Sequence, residues 1–334
     1  MSFQLISSVF HYVHALYAKI TKVVTDNHNG GPLMKVRKDV LRILLSFFII
    51  FSVYFVICNH VAFSQDQKSF LWKVQSKGNT VYVLGSLHML RQQDYPLNKS
   101  IEDAFIKSDI LAVEANINDV ANLDLQTLME KALYPENESL EDHVSQETYE
   151  SIKKETERLG LPLMLVDRQK PWFLALSLTS MELLSLGFNP SYGVDMHFMN
   201  KASGKKKIVE LESFEYQIDL LSSLSDDEQE SFLLYTLKDL HVLKQELHAM
   251  IDAWKRGDPE ALESIMKKST AGDIDMSAVY EKLITERNRN MVGKIEGYLE
   301  QDETYFVIIG AGHLVGEKGI IEMLKDRGYT VKQM

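Results

Sequence analysis

The chain has 334 residues, of which 45% are hydrophobic and 25% charged, a globular composition that argues against extensive disorder. Its formal net charge is −11, and because residues 1–64 carry +4, the remainder carries −15. Such an acidic body argues against nucleic acid as a partner, since phosphate binding requires a basic surface. The single cysteine, Cys58, excludes an intramolecular disulfide and leaves the residues after it without a thiol for catalysis or metal binding.

An uncharged stretch lies between Arg42 and Asp66 near the N-terminus. Its apolar core, ILLSFFIIFSVYFVI, begins at Ile43, follows the basic sequence MKVRKDVLR and precedes the small-x-small triplet at residues 62–64. This order is typical of a secretory signal peptide. It is also compatible with a retained membrane anchor over residues 43–63, because about 20 apolar residues span a bilayer.

The position of this segment divides the chain into three predicted regions. Residues 34–64 are predicted to be the signal peptide or membrane anchor, and the positive charge before the apolar core predicts that residues 1–33 form a cytoplasmic extension. Translation from Met34 would remove that extension. The body, residues 65–334, is then expected to be exported, either periplasmic or anchored with its mass outside the cytoplasm.

The body begins with two segments rich in β-branched and aromatic residues. FLWKVQ (residues 70–75) and TVYVLGS (residues 80–86) are separated by the turn sequence SKGN, which predicts a hairpin or two adjacent strands. The helical stretch NKSIEDAFIKS and the apolar run DILAVEANI (residues 109–117) follow. Strand, helix and strand in this order predict a crossover between parallel strands.

The middle of the body is predicted to be mostly helical. One helix begins at the N-cap Ser145, a strand returns at KKKIVELES (residues 205–213), and one long amphipathic helix is predicted from Ser225 through AWKRGD. The chain ends with strand, helix and strand at TYFVIIG, EKGIIEMLKDRG and YTVKQM. We therefore predict an α/β fold, with two related half-units forming a mixed, largely parallel β core and a mostly helical middle section.

Two apolar runs end in the same Gly-x-x-His pattern, at Gly85 and His88 and again at Gly310 and His313. Ligands of parallel sheets bind beyond the carboxyl ends of the strands, so both imidazoles are expected to reach one crevice. Glu114 ends the apolar run DILAVE, and an ionised group at such a strand end requires a charged, hydrogen-bonding or metal partner. Two histidines and one carboxylate suit a catalytic divalent metal, although structural histidines and a salt bridge explain the same residues.

Other polar residues are weaker candidates for the site. Glu210 and Glu212 share one strand face, and one of them is expected to reach the crevice. Arg287 lies in the helical sequence ITERNRNM, where a solvated charged face is the simpler interpretation. Asp195 and His197 could serve as ligands, but a helix N-cap and a surface imidazole are the preferred interpretations.

The order of several blocks gives a more specific signal than any one motif. The chain contains, in sequence, VYVLGSLHMLRQQDYPL, SDILAVEANI, YGVDMHF, VELESFEYQIDLL, ITERNRNM and FVIIGAGHLVGEKGIIEMLKDRGYTV. This set resembles the TraB/PrgY/GumN family, in particular its GumN-like bacterial branch, over residues 68–334. The family is similar to the Tiki membrane-anchored metalloproteases and, more distantly, to the erythromycin-esterase and ChaN-like proteins.

The resemblance implies a two-half α/β core with the paired motifs at its centre. It implies that His88, His313 and Glu114 hold a divalent metal, manganese or cobalt by preference and zinc as an alternative. It also implies that Glu114 and Arg287, the arginine of the ERN block, act in catalysis, with Arg287 either stabilising an oxyanion or orienting Glu114. Ser86 stands where Thr is usual, which keeps the hydroxyl. The sequence after Glu114 is AN where Leu-Asp is frequent, which leaves a second carboxylate ligand in question.

Three functions are compatible with these expectations. The first is an exported, divalent-metal-dependent hydrolase of the peptidase type, acting on a peptide or protein. The second is a non-catalytic binder of a peptide signal or a haem-like ligand in the same crevice. The third is an accessory protein of envelope or polysaccharide assembly, in which the histidines have no catalytic part.

Overall fold

The structure is a computed structural model that describes residues 68–116, 124–240, 242–270 and 276–334. Residues Gln67–Met334 form one compact unit. The predicted cytoplasmic extension, residues 1–33, and the predicted signal or anchor, residues 34–64, lie outside the described residues. Within the described ranges, no helix combines the length and the apolar character needed to cross a bilayer.

The described part of the chain contains one six-stranded sheet. Its strands are β1 (Leu71–Gln75), β2 (Thr80–Ser86), β3 (Ile110–Val113), β4 (Lys207–Glu210), β5 (Tyr305–Gly310) and β6 (Thr330–Gln333). Their spatial order is β4-β3-β5-β2-β1-β6. β1 is antiparallel to β2 and to β6, and the other neighbouring pairs are parallel. The predicted mixed, largely parallel α/β core is confirmed.

The three central strands end side by side. β2 pairs with β5 so that Ser86 lies opposite Gly310, and β3 pairs with the other side of β5 so that Val113 lies opposite Ile308. All residues of β3 and β5, and residues 81–86 of β2, are buried. Continuous apolar strands are typical of a parallel sheet that is covered on both faces. The register therefore brings the two Gly-x-x-His motifs to adjacent strand ends.

Helices connect the parallel strands. They are α1 (Lys99–Lys107), α2 (Leu125–Ala132), α3 (Gln146–Arg158), α4 (Pro171–Ser185), α5 (Val194–Ala202), α6 (Phe214–Ser222), α7 (Asp226–Leu240), α8 (Leu243–Lys255), α9 (Pro259–Thr270), α10 (Ser277–Tyr280), α11 (Arg287–Leu299), α12 (Ala311–Leu314) and α13 (Ile320–Asp326). A π-helical turn, Glu281–Glu286, joins α10 to α11. The predicted N-cap is confirmed, because the Ser145 hydroxyl accepts the Thr148 N–H. The mostly helical middle section is also confirmed.

The single long helix predicted from Ser225 is wrong, because α7 ends at Leu240 and α8 begins at Leu243. The two helices serve different hydrophobic cores. α7 buries Leu233 and Leu237 against α3 and α4, whereas α8 buries Trp254 in the core around the sheet. The amphipathic pattern continues across residues 240–243, although the two helices bury most of their apolar residues in different cores.

Candidate functional site

Three of the predicted side chains face one small space above Gly310. A Cβ atom built on Gly310 would lie 3.4 Å from Glu114 Oε2, 3.4 Å from His88 Nε2 and 3.5 Å from His313 Cδ2. Gly310 ends β5, His88 follows β2 and Glu114 follows β3, so three neighbouring strand ends supply the site. The absence of a side chain at Gly310 keeps this space open.

His313 is a buried, neutral imidazole with one defined tautomer. Its side chain lies on α12, and the residue is 6% exposed. The ring Nδ1 lies 2.6 Å from Asn288 Oδ1, while Asn288 Nδ2 donates to the Lys318 carbonyl at 2.8 Å. Because the amide nitrogen is used there, its oxygen faces the ring and Nδ1 must be the donor. Burial lowers the pKa of His313 to about 4, so Nε2 carries a free lone pair at neutral pH.

His88 is the accessible imidazole of the pair. Its Nδ1 donates to Asp195 Oδ2 at 2.9 Å, which leaves Nε2 directed at the space above Gly310. The charge of Asp195 raises the pKa of His88 to about 9, against the opposing effect of burial. Because 61% of the His88 side-chain surface is accessible, water screens part of this attraction. Asp195 thus favours the protonated ring, and a metal at Nε2 would have to displace that proton.

Close backbone packing positions Asp195. α5 begins after Gly193, and the Val194 N–H donates to the Leu87 carbonyl at 3.0 Å. A Cβ on Gly193 would lie 2.2 Å from the His88 carbonyl oxygen, so no larger residue fits without movement. The first turn of α5 is therefore in direct contact with the backbone of His88, and this contact sets the distance between the ring and Asp195.

Glu114 is an ionised carboxylate held by three donors. Oε1 accepts from Arg287 Nη2 at 2.5 Å and Gln217 Nε2 at 3.1 Å, and Oε2 accepts from the Gly310 N–H at 2.9 Å. Burial alone would raise the pKa of Glu114, but both imidazoles, Arg287 and the Gly310 amide together lower it to about 2. Since the pKa of His313 is lowered and that of His88 is raised, Arg287, the protonated His88 ring and the Gly310 amide keep Glu114 charged at pH 7.

Arg287 joins two buried carboxylates. It donates from Nε and Nη2 to Glu212 at 2.7–3.2 Å, from Nη2 to Glu114, and from Nη1 to the Leu283 carbonyl at 3.1 Å. Only 11% of its side chain is exposed, so the solvated-face interpretation of Arg287 is wrong. Of the two expected roles, the contacts support orientation of Glu114. Glu212 is the buried glutamate of the β4 segment, and Glu210 is half-buried.

Sequence reasoning gave neither of the two residues that orient the imidazoles its observed role. Asp195 is not an N-cap, because it lies in the first turn of α5 and contacts His88. Asn288 was not singled out, although its position directly after the arginine of the ERN block was a usable signal. His197 lies elsewhere, with Nε2 3.0 Å from Glu102 Oε1, and is not a ligand candidate.

The donor set fits a first-row divalent metal in its chemistry. Both imidazoles donate Nδ1–H to a side-chain oxygen, the usual outer contact of metal-binding histidines, and His88 offers Nε2. His313 presents Cδ2 to the same space, and Nε2 is the next atom of that ring. Both oxygens of Glu114 already accept hydrogen bonds. As positioned, no three His, Cys, Asp or Glu side chains in the described ranges form a complete metal site.

Two cavities lie apart from these residues. One, of about 430 Å³, lies between Phe70, Tyr95 and Trp254, and the other, of about 780 Å³, includes Lys267 and Glu317. Neither lining contains a histidine. Cavity size alone does not identify a catalytic site, and the converging titratable groups above Gly310 do so better.

Comparison with known proteins identifies the family of the chain. The TraB/PrgY/gumN family model matches residues 70–333. The uncharacterized protein YbaP of Escherichia coli is 27% identical over 245 residues, 73% of this chain and 87% of that protein. Metalloprotease TIKI1 of Danio rerio is 24% identical over 318 residues, and the match covers 80% of this chain and 63% of that protein. No solved structure matches the chain. With nearly the whole described body matched, this chain belongs to the TraB/PrgY/gumN family.

Proposed function

We propose that the protein is a divalent-metal-dependent hydrolase of the peptidase type. One observation carries the proposal: His88 Nε2, Glu114 Oε2 and the His313 ring lie within 3.5 Å of one point above Gly310. Relatives that carry the name metalloprotease support it, with 24% identity over most of the described body. A bound metal would polarise a substrate carbonyl and lower the pKa of a bound water.

The residues around the site prepare it for this chemistry. His88 and His313 would hold the ion, with Glu114 as the oxygen donor. Their nitrogen and oxygen atoms suit manganese, cobalt or zinc. Asp195 and Asn288 fix the tautomers of the two rings, so that each Nε2 is the coordinating atom.

Arg287 keeps the oxygen donor charged and oriented. Its contact with Glu114 Oε1 is 2.5 Å, and its second partner, Glu212, is itself buried. The guanidinium therefore belongs to the support of the site, and its donors are already committed to these carboxylates and to the Leu283 carbonyl.

We also propose that the body acts outside the cytoplasm. The uncharged segment after Arg42, with its basic flank, supports this placement. An uncleaved segment over residues 43–63 would tether the enzyme to the membrane, so the substrate would be a peptide or protein on the outer side.

Metal binding by the purified full-length chain tests the site without a known substrate. Gly310→Ala places a methyl group 3.4–3.5 Å from all three groups, in ordinary contact with them and with a permitted φ of −48°, so the fold should remain. The same methyl group fills the space for the ion. We expect titration with Mn²⁺, Co²⁺ or Zn²⁺ to show binding by the wild type and none by Gly310→Ala.

Gly312→Ala is the matched control, since its Cβ would meet only the flexible end of Met266. The control should bind metal like the wild type. The double variant His88→Ala/His313→Ala should bind none, and unchanged metal binding in that variant would refute the proposed site.

Turnover is tested separately with peptide mixtures. Mass spectrometry after incubation with the metal-loaded wild type should reveal cleavage products that Gly310→Ala does not generate. Intact peptide that stays bound in a one-to-one complex would instead support a non-catalytic peptide binder at this site. Co-purification with envelope proteins that survives His88→Ala/His313→Ala, without binding or cleavage of peptide, would favour the accessory role.

A further inference from the structure

We propose that Ser86 is a further residue of this site, and that its hydroxyl hydrogen-bonds an oxygen atom of the ligand held above Gly310. The inference rests on the proposed function for the identity of that ligand, a carbonyl-containing substrate with its attacking water. It concerns a residue of β2 that the metal-binding set does not include.

Ser86 has a buried hydroxyl with an unused hydrogen-bonding capacity. The residue is 2% exposed, and its Oγ has no hydrogen-bond partner among the described residues. Buried hydroxyls in folded proteins nearly always have a partner, because an unpaired one retains the full cost of losing water. An unpaired group at a site edge is the expected signature of a residue whose partner is a ligand.

The strand register directs this hydroxyl to the site. Ser86 lies opposite Gly310 in the parallel β2–β5 pair, and residues opposite each other project to the same face. A Cβ on Gly310 points at Glu114, His88 and His313, so Ser86 projects on the face of the sheet that carries them.

The residue before Ser86 supplies an independent check. A Cβ on Gly85 would meet Phe70 Cδ1 at 2.4 Å and Leu314 Cδ1 at 3.1 Å, so Gly85 faces the packed core. Side chains alternate along a strand, and Ser86 therefore faces the opposite side, where the imidazoles lie. Gly310 is thus bordered by Glu114 on the β3 side and by Ser86 on the β2 side.

The chemistry of the neighbours indicates what the hydroxyl binds. Glu114 Oε2 already accepts the Gly310 N–H and has no hydrogen to offer a ligand oxygen, whereas Ser86 supplies a hydroxyl on the other side of Gly310. A neutral hydroxyl adds a donor that neither repels nor displaces a cation. The oxygen of a scissile carbonyl, which gains negative charge during hydrolysis, is the partner that such a donor favours. The attacking water has the same oxygen chemistry and is the other possible partner.

The test compares Ser86→Ala and Ser86→Thr in the full-length, metal-loaded chain. Thr285→Val is the control, because Thr285 is 0% exposed, its hydroxyl also has no partner among the described residues, and it lies on the π-helical turn. The probes are Mn²⁺ alone, acetohydroxamate as a small carbonyl ligand, and a peptide that the wild type cleaves.

We expect Ser86→Ala to keep its thermal midpoint and to bind Mn²⁺ within about twofold of the wild type. Its affinity for acetohydroxamate should fall about tenfold, and its kcat should fall about 100-fold, the usual loss when one oxyanion donor is removed. Ser86→Thr should restore both values, and Thr285→Val should change neither. Unchanged hydroxamate affinity with a lower kcat and a shifted pH profile would assign the hydroxyl to the water.

Two results would overturn the inference. Equal hydroxamate affinity, kcat and pH profile in the wild type and Ser86→Ala would refute it while leaving the metal site intact. A lower thermal midpoint of Ser86→Ala, with the same fractional loss in every assay, would assign Ser86 a structural role. Failure of the proposed function is distinct, because the wild type would then bind neither Mn²⁺ nor hydroxamate, and the Ser86 inference would fail with it.

Discussion

Replacing Arg287 by methionine should destabilise the fold strongly, because it leaves two buried carboxylates without their shared cation. The side chains of Glu114 and Glu212 are only 10% and 5% exposed, so neither regains hydration when the guanidinium is removed. Breaking a buried ion pair by removing one partner costs about 3–5 kcal/mol. With a urea dependence of about 3 kcal/mol/M, the unfolding midpoint at pH 7 should fall by roughly 1–1.7 M.

Arg289 provides the matched control on the same helix. Its contact with Glu281 is 2.8 Å, but the two side chains are 53% and 36% exposed. An exposed pair of this kind contributes about 0–1 kcal/mol, so Arg289→Met should shift the midpoint little. Adding Glu212→Gln to Arg287→Met should restore part of the stability, since it removes one of the unpaired charges. Equal midpoints for Arg287→Met and Arg289→Met would refute the reasoning.

The stability difference between the wild type and Arg287→Met should also depend on pH, in a direction set by the pKa of Glu114. In the wild type the pKa of Glu114 lies below its ordinary value of 4.5, so its stabilising effect is present above that pH and is lost as the pH falls below it. Without Arg287, Glu114 loses one of the groups that lower its pKa, while burial, which raises the pKa, remains. The deficit of Arg287→Met should therefore be full above pH 4.5 and shrink as the pH falls from there toward about 2; a constant or growing deficit would contradict the argument.

Two further predictions concern the support of His88. Asp195→Asn should return the pKa of His88 from about 9 to its ordinary value or below, as followed by NMR titration of the ring. The stability difference between wild type and variant should be present below pH 6.5 and disappear as the pH rises through about 9; a difference that grows toward alkaline pH would contradict this. Gly193→Ala should cost about 1–3 kcal/mol, because its Cβ would lie 2.2 Å from the His88 carbonyl oxygen. In Gly293→Ala no atom lies within 4 Å of the added carbon, and equal unfolding midpoints for the two alanine variants would contradict the packing argument.

The fold class was predictable because it depends on local patterns. Apolar runs identified the central strands, and their continuous hydrophobicity follows from burial on both faces. The break between α7 and α8 was not predictable, because the amphipathic pattern continues across it and no local pattern indicates that the two helices contribute mainly to different cores. The strand order was not predictable from local patterns either, since β5 pairs with strands more than 190 residues away in the chain.

The site was predictable only in part, for a similar reason. His88, His313 and Glu114 follow strand ends, and the rule that ligands bind beyond those ends was enough to expect their convergence. Asp195 and Asn288 act through helices that pack onto the crevice, and no local pattern indicates which ring each one contacts. The need for glycine at position 193 was equally unpredictable, because it is the backbone of His88, distant in the sequence, that leaves no room for a side chain there.

The strand order also decides how the protein can be assembled during synthesis. β2 and β3 are made early, yet the strand that separates them, β5, begins only at Tyr305. Until the ribosome has added that last segment, the nascent chain lacks the centre of its sheet and keeps two apolar strand edges unpaired. Any truncation before Tyr305 therefore removes the strand at the centre of the sheet, and folding of the sheet has to wait for the C-terminal segment.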